Sequence, residues 1–283
     1  MLRAAGHRVQ VALAWQGEPC DLLIALHARR SHDSVVRYRG PRIVVLTGTD
    51  LYKDLPDSAQ AKQSLALADR VIVLQEDALR KLTPSVKRKA AVVYQSTDTT
   101  LRHRPAAAPF RIAVVGHLRQ VKDPFRAALA LAHLPGLPLE VVHVGGAIEE
   151  GFAKEAKRLM AREPRYRWIG SAPHARALGW IASSHLLIVS SVMEGGANVI
   201  AEAACIGTPV LASRMPGNVG MLGPRYPGFY PLYEEKSLAA LIERAFREKN
   251  FRSRLKRALG ARRARFAPAA ERSALLAVVR SLL

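Results

Sequence analysis

The stretch from Ser190 to Val210 reads S-S-V-M-E-G-G-A-N-V-I-A-E-A-A-C-I-G-T-P-V. The apolar run Leu186 to Val189 before it predicts a buried parallel strand, and Gly207 with Pro209 ends a helix ahead of another short strand. The order is therefore strand, glycine turn, helix. Gly195 and Gly196 let the backbone approach a ligand closely. The open N–H groups of Ala197, Asn198 and Val199 at the helix start, with the positive end of the helix dipole, suit a phosphate or sugar hydroxyls. Glu194 precedes the turn, whereas Glu202 lies about one helical turn past Asn198, so both carboxylates can face one crevice at different depths. Taken alone, two acids at this spacing also describe a solvated Glu before a helix and an ordinary helix-face Glu.

Outward from this stretch, strand and helix patterns alternate. Strands are expected at Val9–Ala14, Asp21–His27, Arg42–Thr47, Arg70–Leu74 and Ala91–Gln95, with helical connections at Ser31–Arg39, Ser58–Ala68 and Glu76–Leu82. After a linker at Thr97–Pro109, a second series runs through strands Phe110–Val115, Leu139–Val144, Tyr166–Ile169, Leu186–Val189 and Val210–Ala212. Its helices are Pro124–His133, Ile148–Arg162 and His174–Ser183, and further helices follow from Ser237. Short β-rich runs between helical patterns predict α/β structure with parallel sheets covered on both faces. Two Rossmann-like domains are expected, residues 1–105 and 106–283, with ligand in a cleft at the carboxyl ends of the strands. The last helix is expected to pack back on the first domain. The opening L-R-A-A-G-H-R-V reads as the end of a helix, so the first domain is expected to lack an initial β-α unit of about thirty residues.

The chain has 283 residues, of which 49% are hydrophobic and 23% charged, with a net charge of +20. No apolar run is long enough to span a bilayer, and the amino terminus lacks a signal-peptide core, so no integral membrane segment and a cytoplasmic location are expected. Its two cysteines, Cys20 and Cys205, have no metal-ligand spacing and read as reduced, buried fillers. The basic residues are scattered, densest from Arg244 to Arg265, and no nucleic-acid module accompanies them, so no nucleic-acid partner is expected. A positive field also concentrates small anionic substrates.

A second constellation, V-V-G-H-L-R-Q-V-K-D-P at Val114 to Pro124, follows a strand and opens a helix. Gly145 and Gly146 end the next strand, and Tyr166 to Gly170 reads Y-R-W-I-G. A departing diphosphate is an anion that fixed cations and helix dipoles can hold, and the chain has no D-x-D metal motif. No cofactor and no metal are therefore expected. On the other side, His27 and Arg29 follow one strand, and Thr47 and Gly48 another, at the carboxyl ends where a crevice belongs. Arg214 and Asn218 lie beyond a strand of the second series.

The E-x7-E element resembles that of retaining glycosyltransferases of the GT-B fold in the large GT4 family, and Val114 to Pro124 resembles their G-R-L-x-x-x-K segment. The resemblance implies that Glu202 holds the nucleotide ribose and Glu194 lies beside the donor sugar. Lys122 matches the Lys that neutralises the departing diphosphate. His117 stands where the family has Arg, and Arg119 is a substitute two residues on. Gly116, His117 and Gly145 fall among the donor-binding positions. Trp168 and Gly170 fall where the family holds the base, although Trp168 also reads as core. The fuller combination of T-G-T-D-L-Y at Thr47, G-H-L-R-x-V-K-D-P at Gly116, R-Y-R-W-I-G at Arg165, M-E-G-G-A-N at Met193 and A-S-R-M-P-G-N-V-G-M-L-G at Ala212 is similar to the selenosugar synthases, a GT4-like group acting in selenoneine biosynthesis. It covers nearly the whole chain. It implies transfer of a sugar from UDP-GlcNAc or a similar UDP-sugar to selenophosphate; such an anionic acceptor needs cations on the facing wall, and His27, Arg29, Thr47, Gly48 and Arg214, by their place at strand ends, are the expected acceptor residues. A GT4 transferase with a hydroxyl acceptor and a nucleotide-sugar-binding protein without activity are the other readings.

Overall fold

A computed structural model describes residues 1–283, which divide by their contacts into two units. Unit 1 comprises Met1–Ser96, Glu194–Gly196 and Arg265–Leu283, and unit 2 comprises Thr97–Met193 and Ala197–Ala264.

In unit 1 the strands β1 (Leu23–Leu26), β2 (Arg42–Leu46), β3 (Arg70–Val73) and β4 (Ala90–Val92) pair in that order, all parallel. Helices α1 (His32–Arg37), α2 (Ala59–Leu67) and α3 (Pro84–Arg88) belong to the connections, and α11 (Pro268–Arg280) joins the unit from the far end of the chain. Alternate residues of one strand serve opposite faces. Val44, Leu46, Val71 and Val73 pack with Val35, Ala61 and Leu65, while Ile43 and Ile72 pack with Val278 and Val279 of α11. Both faces are thus dry, and each fully buried Val, Leu or Ile side chain contributes ~1.5–3 kcal/mol. That is why these strands read as unbroken apolar runs. Helix α2 starts where Ser58 Oγ accepts the Ala61 N–H at 3.1 Å.

Unit 2 holds β5 (Phe110–Val115), β6 (Leu139–Val144), β7 (Tyr166–Trp168), β8 (Leu186–Val189), β9 (Val210–Ser213) and β10 (Phe229–Tyr230). Their spatial order is β10-β9-β8-β5-β6-β7, again all parallel. The helices are α4 (Arg126–Leu131), α5 (Phe152–Arg162), α6 (His174–Ser183), α7 (Asn198–Ile206), α8 (Pro216–Leu222), α9 (Glu235–Arg247) and α10 (Lys249–Gly260). Helix α7 stops because Gly207, at φ 95°, takes the left-handed conformation, and its N–H returns to Ala203 O at 2.7 Å. No helix is long and apolar enough to cross a membrane.

Three expectations fail. Val9–Ala14 is not a strand: no strand lies beside it to accept its ladder, and Val11 and Leu13 are exposed. The chain is instead pinned at Trp15, whose N–H meets Ser34 Oγ at 3.0 Å and whose ring stands edge-on to Tyr38. Cys20 is exposed rather than buried, in the irregular segment before β1; Cys205 is buried in α7. The helix expected from Ile148 begins only at Phe152, since Gly151 at φ 80° breaks the helical path.

Candidate active site

The strand order of unit 2 reverses direction at β5, which has β6 on one side and β8 on the other. The carboxyl ends of β5 and β8 therefore open at a topological switch point, where the diverging loops leave a crevice. Both sequence constellations of this unit emerge there: Gly116–Asp123 after β5 and Ser190–Met193 after β8.

The two loops are tied together. Val192 N–H donates to Val121 O at 2.9 Å, and Ser190 Oγ donates to the carbonyls of Lys122 at 3.0 Å and Asp123 at 2.8 Å. Asp123 takes φ 43° and ends the short 3-10 turn Gln120–Lys122. Its carboxylate receives Arg126 Nε at 2.8 Å, which fixes the turn against α4. Arg119 lies 3.5 Å from Glu149 in an exposed pair, and Gln120 N–H donates to the other oxygen of Glu149 at 2.6 Å.

The neighbouring wall is built by backbone contact. A Cβ on Gly145 would sit 2.0 Å from Gly116 O, so only glycine allows the β5 and β6 ends to close to this distance. Beneath them His143, 1% exposed, donates from Nε2 to Gly116 O at 3.1 Å and accepts the Tyr166 hydroxyl at Nδ1, 3.0 Å. Burial outweighs the backbone hydrogen bond and pushes His143 down to about 4, so the ring is neutral with its proton on Nε2. Burial raises the Tyr166 hydroxyl far above its ordinary value. Gly146 N–H donates to His117 Nδ1 at 3.2 Å, and Trp168 Nε1 donates to Gly145 O at 2.7 Å. Trp168 is thus half-buried and spends its indole N–H on the loop.

Helix α7 starts from Ala197, which is 2% exposed, and no side chain caps it. Its first N–H groups and its dipole constitute an anion-favouring end. Glu202, a turn further on and 8% exposed, accepts a hydrogen bond from His174 Nε2 at 2.8 Å, the first residue of α6. Arg214 is exposed after β9 and lies over the Phe229 ring at 5.3 Å, reaching Pro224 O at 3.4 Å. Asn218 has no exposed surface and donates from Nδ2 to Ser213 O and Oγ, both at 3.0 Å, which ties it to the end of β9, while its buried Oδ1 has no hydrogen-bond partner.

In unit 1 the loops after β1 and β2 meet at one turn of π-helix, Asp50–Asp54. Asp50, with no exposed surface, accepts Thr47 N–H at 2.8 Å, Gly48 N–H at 2.9 Å and Leu51 N–H at 3.1 Å on Oδ1, and Ala28 N–H at 2.9 Å on Oδ2. His27 takes φ 76°, and its Nδ1 accepts the Arg30 N–H at 3.3 Å. Its Nε2 is covered and faces Asp54 at 3.6 Å, so it presents no ring nitrogen to solvent. Asp54 also lies 3.2 Å from Arg29, whose side chain is half exposed. Thr47 is exposed.

Residues 101–260 match the family described as Glycosyl transferases group 1, which is more than half of the chain. The chain belongs to that family. Among curated relatives it is 24% identical over 255 residues to the Glycosyltransferase 1 domain-containing protein 1 of Xenopus tropicalis, covering 78% of this chain and 74% of that protein. Among solved structures it is similar to Anabaena Alr3699/HepE in complex with UDP and glucose, at TM-score 0.77 and 19% identity, covering 93% of this chain and 78% of that one. The sucrose-phosphate synthase of Thermosynechococcus elongatus superposes at TM-score 0.76 and 20% identity, covering 93% and 73%. These likenesses establish the fold, which is GT-B.

Within this group 1 glycosyltransferase, Gly116, His117, Arg119, Lys122, Gly145, Trp168, Gly170, Ala197, Asn198, Val199, Glu202 and Arg214 lie in unit 2. His27, Arg29, Thr47, Gly48, Glu194, Gly195 and Gly196 group with unit 1. The Arg119 side chain lies by Glu149 and that of Arg214 over Phe229, and the Lys122 carbonyl is held by Ser190 Oγ. Sequence reading missed His174 and Ser190 and, within the Thr47–Asp50 group, the anchoring part played by Asp50. For His174 the available signal was P-H-A-R at a helix start, one strand-and-loop before the acidic element. For Asp50 it was the carboxylate two residues after Gly48 in T-G-T-D.

Proposed function

We propose that this glycosyltransferase takes a sugar from a UDP-sugar, UDP-GlcNAc or a close relative, and transfers it to selenophosphate, as in selenoneine biosynthesis. The donor reading rests on one observation: the Lys122 turn and the loop leading toward Glu194 leave adjacent strands at the switch point and are hydrogen-bonded to each other through Ser190. The solved complex of Anabaena Alr3699/HepE with UDP and glucose supports a uridine donor.

Each role follows from chemistry. Lys122, with Arg119 beside it, neutralises the diphosphate; the α7 amino terminus with Ala197, Asn198 and Val199 adds fixed dipoles and needs no metal. Glu202, held by His174, receives the ribose hydroxyls. Trp168 and Gly170 border the base, and Glu194 lies by the sugar. In unit 1, Arg29, Thr47 and Gly48 serve the anionic acceptor. His27 acts there through its pairing with Asp54, which lies 3.2 Å from Arg29. The selenium of selenophosphate is already nucleophilic, so no strong base is needed. A C1–Se bond forms as the C1–O bond to UDP breaks, and water then takes the phosphoryl group, leaving a selenol and phosphate. The acceptor assignment rests on the T-G-T-D-L-Y and M-E-G-G-A-N segments.

The test is incubation with UDP-GlcNAc and UDP-glucose, each with selenophosphate or with hydroxyl acceptors, read by mass spectrometry. A 1-selenosugar and phosphate are expected. Product only with hydroxyl acceptors would remove the selenium reading and keep the transferase. Lys122→Ala and Glu202→Ala should each lower donor turnover at least tenfold; unchanged donor use in both would remove the donor site.

A further inference from the structure

Asp50 lies two residues beyond the Thr47–Gly48 pair proposed for the acceptor, and its own carboxylate is wholly buried and gathers four backbone N–H groups and the Thr47 hydroxyl, which is 3.3 Å away. Those donors come from the ends of two different strands: Ala28 after β1, and Thr47 with Gly48 after β2. A carboxylate is the side chain that accepts this many donors at once, since its two oxygens carry about four lone-pair sites and no N–H of their own. The anchored turn has a specific task within unit 1. Gly48 takes φ 131°, and a Cβ there would stand 2.6 Å from Gly195 N and 3.0 Å from Gly195 Cα. From the other side, a Cβ on Gly195 would stand 2.0 Å from Thr47 O. A Cβ on Gly196 would meet Leu74 Cβ at 2.9 Å. The backbone of Glu194–Gly196 therefore rests on the Thr47–Gly48 turn and on Leu74 with no side chain between them.

The geometry points to Asp50 as a positioning residue for Glu194, acting through the Thr47–Gly48 turn and the peptide of Gly195. The inference rests on the proposed role of Glu194 beside the donor sugar and extends it. Because Thr47 and Gly48 are also proposed for the acceptor, it is read on donor hydrolysis, which needs none. An amide at position 50 keeps the volume but replaces one acceptor oxygen by a donor, which faces an N–H of the chain. The turn then shifts, and a displacement of about 1 Å at a reacting group costs on the order of a hundredfold in rate.

The experiment compares Asp50→Asn, Gly48→Ala and the double variant. It measures kcat, donor KM, UDP affinity by calorimetry and the unfolding midpoint. Asp50→Asn is expected to lose about a hundredfold in kcat while UDP affinity stays within about twofold, because the diphosphate and ribose contacts belong to unit 2. Gly48→Ala reaches the same contact without touching the carboxylate and is expected to lose kcat similarly. The double variant should fall no further than the worse single one, since both act through one turn. Unchanged kcat in a folded Asp50→Asn would overturn the inference, and so would kcat losses that multiply in the double variant. If Asp50→Asn does not fold, Gly48→Ala decides alone: full kcat there overturns it. If Glu194→Ala itself retains full turnover, the proposed role of Glu194 fails, which is a result separate from these.

Discussion

Ser190 Oγ lies 3.0 Å from Lys122 O and shares its proton with Asp123 O at 2.8 Å, so one hydroxyl fixes the turn that carries the candidate diphosphate lysine. Ser190 itself is 4% exposed. Replacing it by Ala leaves two carbonyls short of a donor, at a cost of about 1 kcal/mol in stability. Transfer efficiency should fall about tenfold through loss of Lys122 placement. Thermal unfolding and donor kinetics of Ser190→Ala check both numbers; an unchanged kcat/KM would show that the turn holds without it.

His174 holds Glu202 in one rotamer from an exposed position, with 69% of its side chain open to solvent. Its partner is buried, with 11% of the Glu202 side chain open, so loss of the ring leaves a buried carboxylate oxygen short of that donor, at about 1 kcal/mol. His174→Ala should therefore lower Tm by a few degrees and raise the donor KM about threefold to tenfold with kcat kept, the signature of lost uniform binding. A drop in kcat with KM intact would contradict this role.

Gly145→Ala should be among the most damaging small substitutions in unit 2. Its methyl would stand 2.0 Å from Gly116 O, and the atoms in its way are backbone. Relief requires the β5 and β6 ends to part, at about 3 kcal/mol. The unfolding midpoint should fall by several degrees, and UDP binding, followed by calorimetry, should weaken more than tenfold.

Acid should destabilise the protein through His143. The unfolded chain binds this proton near the ordinary value of 6.5, the folded chain only near 4. The unfolded state thus carries more protons between these values, so stability falls as pH drops through that window and is intact above it. From about pH 7.5 to about pH 5 the loss from this group is about 2 kcal/mol. His143→Gln, which retains a donor toward Gly116 O, should flatten that part of the profile. Denaturant midpoints at the two pH values compare the slopes.

Much of the sheet framework was legible because its strands are buried on both faces. Phe110–Val115, Leu139–Val144 and Leu186–Val189 stand out as apolar runs, and the structure gives them the same bounds. Val9–Ala14 carries similar local chemistry and forms no strand, because pairing depends on a neighbour that local pattern does not encode. Helix α8 contains Pro216, Gly217 and Gly220 and falls outside the expected helices; burial of Met221 and Leu222 overrides the propensity. Motif spacing led to Lys122 and Glu202 but not to their supports. Ser190 and His174 reach their partners through |i−j| of 68 and 28, and nothing in either local segment announces a contact at such a distance.

The face of the first sheet formed by Ile43, Ile72 and Val93 is covered by α11, and Arg70 Nε meets Ser281 Oγ across 211 positions. During synthesis on the ribosome, that face stays uncovered until the chain beyond residue 280 has emerged, long after the strands themselves are available. A nascent chain halted before α11 should be bound by chaperones and open to proteases within residues 1–96, and truncations that remove α11 should damage the β1–β4 sheet, far from the cut in sequence.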